Sequence, residues 1–152
     1  MLVDNCVFTG HNAAIGGTAA LYLVTQNATF DTNILIQDTY FTNTNRSIDA
    51  EAFSSTYKTN LTISYCQFYN GFQLGSGSGS YIRFLGIGHT LTIDHSIFAN
   101  NFASILGGGL LVSLECTACF GSLTNNLFVS NAAHSAGGAY YYSNVESNIQ
   151  NN

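Results

Sequence analysis

The chain contains no proline and no tryptophan, and charged residues make up only 7% of its 152 residues. Roughly a quarter of the residues are charged in ordinary soluble domains. The three basic residues, Arg46, Lys58 and Arg83, are too few to form the cationic stripe that neutralises nucleic-acid phosphates. The scarcity of charge therefore argues against nucleic-acid binding, and the lack of proline favours a chain built mostly of hydrogen-bonded strands.

Long apolar segments are also missing. No run of about 18 apolar residues, the length that a membrane-spanning helix needs, occurs in the sequence. The first residues, MLVDNCVF, contain neither the basic nor the apolar region of a secretory signal. We therefore expect no membrane span, and we expect any secretory signal to lie outside this chain.

An internal repeat is the strongest feature that the sequence does contain. Five segments align on a phenylalanine, and the residue five positions earlier is aliphatic in every segment. The phenylalanines are Phe8, Phe41, Phe68, Phe98 and Phe128, and the aliphatic residues are Val3, Ile36, Ile63, Ile93 and Leu123. The segments are short, alternating and rich in β-branched residues, which predicts a strand in each.

The repeat length decides between the repeat architectures. The phenylalanines are 33, 27, 30 and 30 residues apart, and a second apolar run follows glycines at Gly16, Gly77, Gly107 and Gly137 in every repeat but the second. About three short strands per 30 residues predict an all-β, right-handed parallel β-helix of about five coils. Leucine-rich repeats are shorter and propeller blades are longer.

One domain is expected over residues 1–143, with coils near 1–30, 31–58, 59–88, 89–118 and 119–143, followed by a polar tail at 144–152. Equivalent residues of successive coils should stack about 4.8 Å apart. The phenylalanines and the aliphatic residues should therefore form two interior ladders. Asn43, Asn70 and Asn100, which share a position after the phenylalanine, should form a hydrogen-bonded amide stack.

Two short motifs carry a resemblance to a known group of proteins. Phe98 to Asn101 and Phe128 to Asn131 match a Phe-x-x-Asn motif, and Gly137-Gly138-Ala139 matches most of Gly-Gly-Ala-Ile, with Tyr140 in place of the isoleucine. This pattern resembles the pectin-lyase-like right-handed β-helix superfamily. More narrowly, it is similar to the repeats of polymorphic outer membrane proteins and related surface adhesins, which implies an extracellular or cell-surface protein.

Because many members of that superfamily cleave acidic polysaccharides, an enzymatic function has to be weighed. Gly88-His89-Thr90 matches only half of the Gly-His-Gly motif of the hydrolases, and their Arg-x-Lys motif is missing. Asp4 and Asp94 share a repeat position three coils apart, about 14 Å, which is too far to flank one glycosidic bond. We expect no enzymatic activity, no catalytic residues and no cofactor.

Acidic and cysteine residues suggest no metal site either. Asp38 lies near the Asp4 position, but one such pair is a weak calcium site. Cys116 and Cys119 lie in what we interpret as an insertion between coils four and five, and a zinc site would need a second such pair. In an extracellular protein these two cysteines are candidates for a local disulfide. Cys6 and Cys66 share a position two coils apart, beyond disulfide reach, and are expected to be small core residues.

Surface chemistry is suggested by sequons and tyrosines. Asn27, Asn45 and Asn60 each begin an Asn-x-Ser/Thr sequon and are candidate N-glycosylation sites if the protein passes through a eukaryotic secretory pathway. A hydroxyl column of Thr62, Thr92 and Ser122 breaks at Leu35. Several tyrosines could offer a surface for sugars or partners, with about half of them buried by strand alternation: Tyr22, Tyr65, Tyr69, Tyr81, Tyr140, Tyr141 and Tyr142.

A solenoid needs caps, because its terminal coils otherwise expose apolar faces and unpaired strand edges. No amphipathic helix occurs at either end of the sequence. The sequence thus favours a non-enzymatic, structural or adhesive extracellular solenoid, part of a surface filament, appendage or large surface protein. Its expected partners are copies of itself or further coils stacked end to end, with glycans as a further candidate class. The alternative is a β-helix that binds or cleaves polysaccharide along one sheet.

Overall fold

The protein is an all-β parallel solenoid of about five turns with about 30 residues per turn. The structure is a computed structural model, which describes residues 1–10, 19–26, 29–54 and 56–152. Every strand pairing among these residues is parallel, and no helix occurs among them. The strands β4, β7 and β11 alternate inward apolar residues with outward, mostly polar residues, which is the pattern that a half-buried strand requires.

Sheets A and C are the two long sheets. Sheet A contains, in spatial order, β1 (Leu2–Asp4), β4 (Thr32–Gln37), β7 (Thr59–Ser64), β11 (Thr90–Asp94), β15 (Phe120–Thr124) and β19 (Ser147–Gln150). Sheet C contains β3 (Ala19–Thr25), β6 (Arg46–Ala52), β10 (Ser80–Ile87), β14 (Leu110–Thr117) and β18 (Ala139–Ser143).

Sheets B and D are built from shorter strands. Sheet B contains β2 (Val7–Thr9), β5 (Tyr40–Thr42), β8 (Gln67–Tyr69), β12 (Ile97–Ala99) and β16 (Leu127–Val129). Sheet D contains β9 (Phe72–Gln73), β13 (Phe102–Leu106) and β17 (Ala132–Ser135). Coil two passes from β5 to β6 without a strand in sheet D, which accounts for its shorter repeat.

The two predicted ladders lie in direct register inside the solenoid. Each aligned phenylalanine pairs with the next one along sheet B. Their ring centroids are 4.9, 5.0, 4.5 and 5.0 Å apart, and neighbouring rings are within 7° of parallel. The aliphatic residues from Val3 to Leu123 form the second ladder in sheet A. Phe41, Phe68 and Phe98 are fully buried, so stacked rings and aliphatic side chains together form one continuous core.

The corners between sheets are made by single residues with positive φ. Between sheets A and B these are Asn5, Asp38, Tyr65, His95, Asn125 and Asn151. After sheet B they include Gly10, Asn43, Asn70, Asn100 and Ser130. Asparagine and glycine tolerate this left-handed conformation better than other residues, which explains why asparagine occupies the corner after Phe41, Phe68 and Phe98 and glycine the corner after Phe8.

The predicted amide stack exists, but one residue later than expected. Asn43, Asn70 and Asn100 are the corner residues, and their side chains are exposed. The stacked amides are Asn101 and Asn131, which point inward: Gly71 N–H donates to Asn101 Oδ1 at 2.9 Å, and Asn101 N–H donates to Asn131 Oδ1 at 3.0 Å. The corner residue turns the chain, so the next residue is the one that faces the interior.

A second polar ladder follows the corner between sheets A and B. Cys66 N–H donates to Ser96 Oγ, Ser96 N–H donates to Asn126 Oδ1, and Asn126 N–H donates to Asn152 Oδ1. Each inward side chain therefore satisfies a buried backbone group of the preceding coil. Two such ladders fix the register at both corners without any salt bridge.

The boundary that we placed at residue 143 falls inside the solenoid. The segment expected to be a polar tail contains β19, which pairs with β15 and adds a sixth strand to sheet A. Asn151 then adopts the same positive φ as the five earlier residues at this corner, and Asn152 Nδ2 donates to the Leu123 carbonyl at 2.9 Å. The last residues thus repeat the corner geometry of the inner coils.

Glycines before sheet C allow the coils to approach closely. A Cβ atom added at Gly79 would lie 2.0 Å from the Gly109 carbonyl oxygen, and one added at Gly109 would lie 2.6 Å from the Gly138 carbonyl oxygen. These positions therefore require glycine, since any side chain would collide with the backbone of the next coil. The predicted glycine at Gly16 lies outside the described residues.

Candidate functional site

His89, from the half-matched Gly-His-Gly motif, has a structural role. His89 is fully buried; its Nδ1 accepts a hydrogen bond from Thr59 N–H at 3.0 Å and its Nε2 lies 2.9 Å from the Leu85 carbonyl oxygen, to which it donates. This assignment requires the neutral tautomer that carries its proton on Nε2. Both ring nitrogens hold backbone groups at the corner between sheets C and A, so neither faces solvent.

Asp94 and His95 form an exposed pair on the outside of the corner between sheets A and B. The Asp94 Oδ2 and His95 Nδ1 atoms are 2.6 Å apart, and the His95 ring stacks on Tyr65 at 5.0 Å. Partial burial raises the pKa of Asp94, but hydrogen bonds from Thr124, His95 and Asn125 outweigh it, so the pKa lies below its usual value. The carboxylate is thereby held ionised by structural partners.

The cysteines occupy two different environments. Cys116 and Cys119 are joined by a disulfide. Our placement of this pair in an insertion was wrong. Cys116 of β14 pairs with Gly86 of β10, and Cys119 Sγ accepts a hydrogen bond from His89 N–H, so the two cysteines form the regular corner between sheets C and A. Cys66 is a buried free thiol, and burial raises its pKa to about 11, which makes it a poor nucleophile at neutral pH.

The candidate glycosylation sites differ in their surroundings. Asn60 lies on the outer face of sheet A; its Nδ2 donates to Asn33 Oδ1 at 2.8 Å and its Oδ1 accepts from Thr90 Oγ1 at 2.7 Å. Asn45 is half-buried just before β6, and Asn27 lies outside the described residues. Glycosylation of all three stays a prediction.

No group of three or more histidine, cysteine or acidic side chains converges to hold a metal within the described part of the chain. The same residues contain no helix long and apolar enough to cross a membrane.

Charge and aromatic side chains gather on the outer face of sheet C. Five of the eleven charged residues (three basic plus eight acidic) lie on its strands: Arg46, Asp49, Glu51, Arg83 and Glu115. Two outward columns cross coils three to five, one made of Tyr81, Leu111 and Tyr140 and the other of Arg83, Ser113 and Tyr142. No other sheet combines several tyrosines with ion pairs in this way among the described residues.

These columns form the floor of an open groove of about 410 Å³. Ser76 and Leu106, from the segments that lead into sheet C, stand beside the floor, and Glu115 also lines the groove. Arg83 Nε lies 3.8 Å from Glu115 Oε1, and Ser113 Oγ donates to the same carboxylate oxygen at 2.7 Å. We refer to this feature as the sheet C groove.

Tyr81 is held in place by Arg46 of the preceding coil. The Arg46 guanidinium lies 4.7 Å from the centre of its ring, and it also donates to the carbonyl oxygens of Ser76 and Gly77 at 2.8 and 3.2 Å. Asp49, which is almost fully buried, pairs with the same guanidinium. Burial raises the pKa of Tyr81, so its hydroxyl is protonated at neutral pH.

The sequence indicated the tyrosines of this groove but missed their polar neighbours. Three other predicted tyrosines do not line the groove. Tyr141 points inward and hydrogen-bonds to Ser147, Tyr65 lies at the corner between sheets A and B, and Tyr69 lies in sheet B. The missed residues Arg83 and Ser113 lie in one column with Tyr142, and all three follow the last glycine before their sheet C strand by four positions. Aligning the repeats on these glycines would have predicted the column.

Comparison with protein-family models, with curated proteins and with solved structures gives no match for this chain. The parallel solenoid is therefore established by its own strand pairing, and no family or superfamily is assigned to it.

Proposed function

We propose that this protein is a non-enzymatic structural or adhesive solenoid of the extracellular or cell-surface kind, lengthened end to end by further coils. The observation that carries the proposal is the open C-terminal end of the core. Phe128, Tyr141 and Ile149 line a cavity of about 470 Å³ there, and Ile149 is 53% exposed. In the inner coils the equivalent side chains are covered by the next coil.

The backbone at this end supports the same proposal. Strands β16, β17 and β18 each have a neighbour on one side only, and exposed strand edges readily pair with further strands. The corner at Asn151 and Asn152 already directs the chain from sheet A toward sheet B. The covering coils would belong either to a longer chain or to a second copy, and a non-closing contact between copies would generate a filament.

The disulfide supports the extracellular part of the proposal. Disulfides persist in oxidising compartments and are rare in the cytosol. A surface rich in asparagine, serine and threonine suits the same setting. The finer assignment, to a right-handed pectin-lyase-like helix of the surface-adhesin kind, rests on the Phe-x-x-Asn and Gly-Gly-Ala motifs alone.

A chain lengthened by the sheet B, sheet D and sheet C strands of one more coil tests the open end. Residues 97–117, repeated after Asn152, would follow the corner in the same phase as in coil four and would cover Phe128. Because burying one phenylalanine stabilises by about 1.5–3 kcal/mol, we expect the free energy of unfolding in urea to rise by about 2 kcal/mol or more.

The matched control is the same extension with aspartate in place of its copy of Phe98, which we expect to give no such gain. Equal stability of the two extended proteins would contradict the proposal. Chromatography and electron microscopy of the 152-residue chain at increasing concentration then separate the two sources of coils. Concentration-dependent rods indicate copies, and a monomer that gains stability only from the added coil indicates a longer chain.

A further inference from the structure

We propose that the sheet C groove binds a proline-rich segment of another protein, held in the polyproline II conformation along the solenoid axis. This inference concerns the side of the solenoid and does not depend on the proposed stacking of its ends. It begins with two rings in one outward column. Tyr81 and Tyr140 lie two coils apart with Leu111 between them, and Leu111 is only 5% exposed. The column therefore contains a slot with an aromatic ring at each end and an apolar floor.

The length of this slot fits the repeat of a polyproline II helix. Successive coils are about 4.8 Å apart, so Tyr81 and Tyr140 are separated by about 10 Å along the axis. A polyproline II helix rises about 3.1 Å per residue with three residues per turn, so prolines three positions apart are separated by about 9 Å. A ligand in this conformation can therefore place one proline against each tyrosine ring and the intervening residues over Leu111.

The residue between the rings distinguishes this slot from the neighbouring part of the same column. Tyr22 and Tyr81 are also two coils apart, but the residue between them is Asp49. Asp49 is 6% exposed and pairs with Arg46, so the floor at that point is ionic. An apolar proline ring gains little from contact with a paired carboxylate. Of the two intervals, only the one over Leu111 offers apolar contact along its whole length.

The slot is also rigid before any ligand arrives. Strands β10 and β14 are paired on both sides, and the Arg46 guanidinium covers one face of the Tyr81 ring, which leaves the other face for a ligand. Sites on strands hold their geometry better than sites on loops, which reduces the ordering cost of binding. A polyproline II helix is itself preformed, so neither partner has to lose much conformational freedom.

The rim of the groove supplies the hydrogen-bond donors that this ligand lacks. A polyproline II helix makes no internal hydrogen bonds, and proline has no N–H, so the ligand presents free carbonyl groups. The hydroxyl groups of Tyr81, Tyr140 and Tyr142 can donate to such carbonyls. Proteins that bind proline-rich segments commonly do so through aromatic-lined grooves of this composition.

The charges of this face predict a basic residue beside the prolines. Two basic and three acidic residues leave the outer face of sheet C with a net negative charge. The Glu115 side chain lines the groove and is 43% exposed, and Arg83 Nε is 3.8 Å from its carboxylate, which is longer than a hydrogen bond. The carboxylate can therefore accept a charge-assisted hydrogen bond from an arginine of the ligand that extends over Ser113.

A second copy of this chain cannot supply the ligand, because the 152 residues contain no proline. The proposed partner is therefore a different protein, whose proline-rich segment carries arginine or lysine at one end and no acidic residue beside it. Such a partner complements the groove in shape, through the spacing of its prolines, and in charge, through its basic end.

The experiment is an NMR titration that follows the tyrosine rings. The probes are acetylated and amidated peptides of about ten residues: a run of prolines ending in arginine, the same run ending in glutamate, and a glycine–serine peptide ending in arginine. We expect the proline–arginine peptide to shift the resonances of Tyr81, Tyr140 and Tyr142 with a dissociation constant of about 0.1 mM or below. We expect the proline–glutamate peptide to bind more weakly, and the flexible glycine–serine peptide to give no shift.

Three variants locate the binding. Tyr140→Ala should weaken binding of the proline–arginine peptide about tenfold or more. Tyr22→Ala, in the same column but outside the groove, should bind this peptide like the unmodified protein. Glu115→Gln should remove most of the preference for arginine over glutamate, and because the Glu115 side chain is exposed, this variant tests the site even if Tyr140→Ala fails to fold. Thermal unfolding checks that the variants are folded.

Several results would overturn the inference. They are the lack of shifts with the proline–arginine peptide, equal binding of the glycine–serine peptide, affinity unchanged by Tyr140→Ala, and an arginine preference unchanged by Glu115→Gln. Shifts of the same resonances with protein concentration alone would also overturn it, since a second copy would then occupy the groove. None of these results bears on the extended-coil experiment, so the two proposals fail separately.

Discussion

Sheets A and C share one core, yet their outer faces have opposite characters. On sheet A the outward side chains bond one another: Asn60 links Asn33 to Thr90, and Thr124 Oγ1 donates to Asp94. On sheet C the outward side chains are rings and ion pairs around an open groove. The polar side chains on the outer face of sheet A hydrogen-bond to one another, whereas the outer face of sheet C leaves aromatic surface open to solvent.

The difference shows which positions the fold constrains. Inward residues must stack on their counterparts, so both sheets repeat an apolar pattern there. Outward residues contact only solvent and the neighbouring rung, so each sheet can carry its own chemistry. A polar face whose groups already bond one another gains little from a ligand, since each new hydrogen bond replaces an existing one. Sheet C is therefore the face that leaves aromatic side chains open to further contacts.

The largest expected loss of stability comes from removing a buried phenylalanine of the core that sheets A and C share. Phe68→Ala deletes a fully buried ring between Phe41 and Phe98, and we expect it to lower the free energy of unfolding by about 3–5 kcal/mol. Urea unfolding followed by circular dichroism measures this change. Phe72→Ala is the matched control, because Phe72 stacks on Phe102 but is 53% exposed on sheet D, and we expect a cost of about 1 kcal/mol or less. Similar losses in both variants would contradict the interior ladder.

A smaller effect is expected at the polar ladder beside the core. Asn101→Ala removes the acceptor of Gly71 N–H and the donor to the Phe68 carbonyl, and buried groups left without partners cost about 1–3 kcal/mol. The neighbouring Asn100→Gly variant keeps an exposed corner residue in its positive-φ conformation, which glycine adopts readily. We expect its urea midpoint to stay near that of the unmodified protein. If the corner residue carried the stacked amide, Asn100→Gly would lose more stability than Asn101→Ala.

The smallest expected losses of stability come from variants on the outer faces of sheets A and C. Asn60→Ala breaks two side-chain hydrogen bonds of sheet A and should cost about 0.5–1.5 kcal/mol. Tyr142→Ala on sheet C should change stability by no more than about 0.5 kcal/mol. Thermal unfolding of both variants under one condition measures the difference. A larger loss for Tyr142→Ala would mean that its ring supports the fold, and the contrast between the faces would no longer hold.

The interior was predictable from the sequence because stacking demands the same residue at the same offset in every coil. Phe8 to Phe128 and Val3 to Leu123 could be identified from spacing and alternation alone. The amide stack was misplaced by one residue because the left-handed corner at Asn100 reverses which neighbour faces inward, and spacing contains no information on φ. Cys116 and Cys119 were misplaced for a similar reason, since a corner and an insertion both interrupt the alternation.

The sequence by itself determined a parallel solenoid of about five coils with a phenylalanine ladder inside. Burial of equivalent residues in every coil imposes a periodic pattern that is visible in the linear sequence. Only the tertiary structure decided which outward residues meet. Tyr81, Arg83, Glu115 and Tyr142 are up to about 60 residues apart along the chain, and they share a groove because the coils stack in register about 4.8 Å apart. Outward side chains are free of the burial constraint, so only the winding of the chain brings them together.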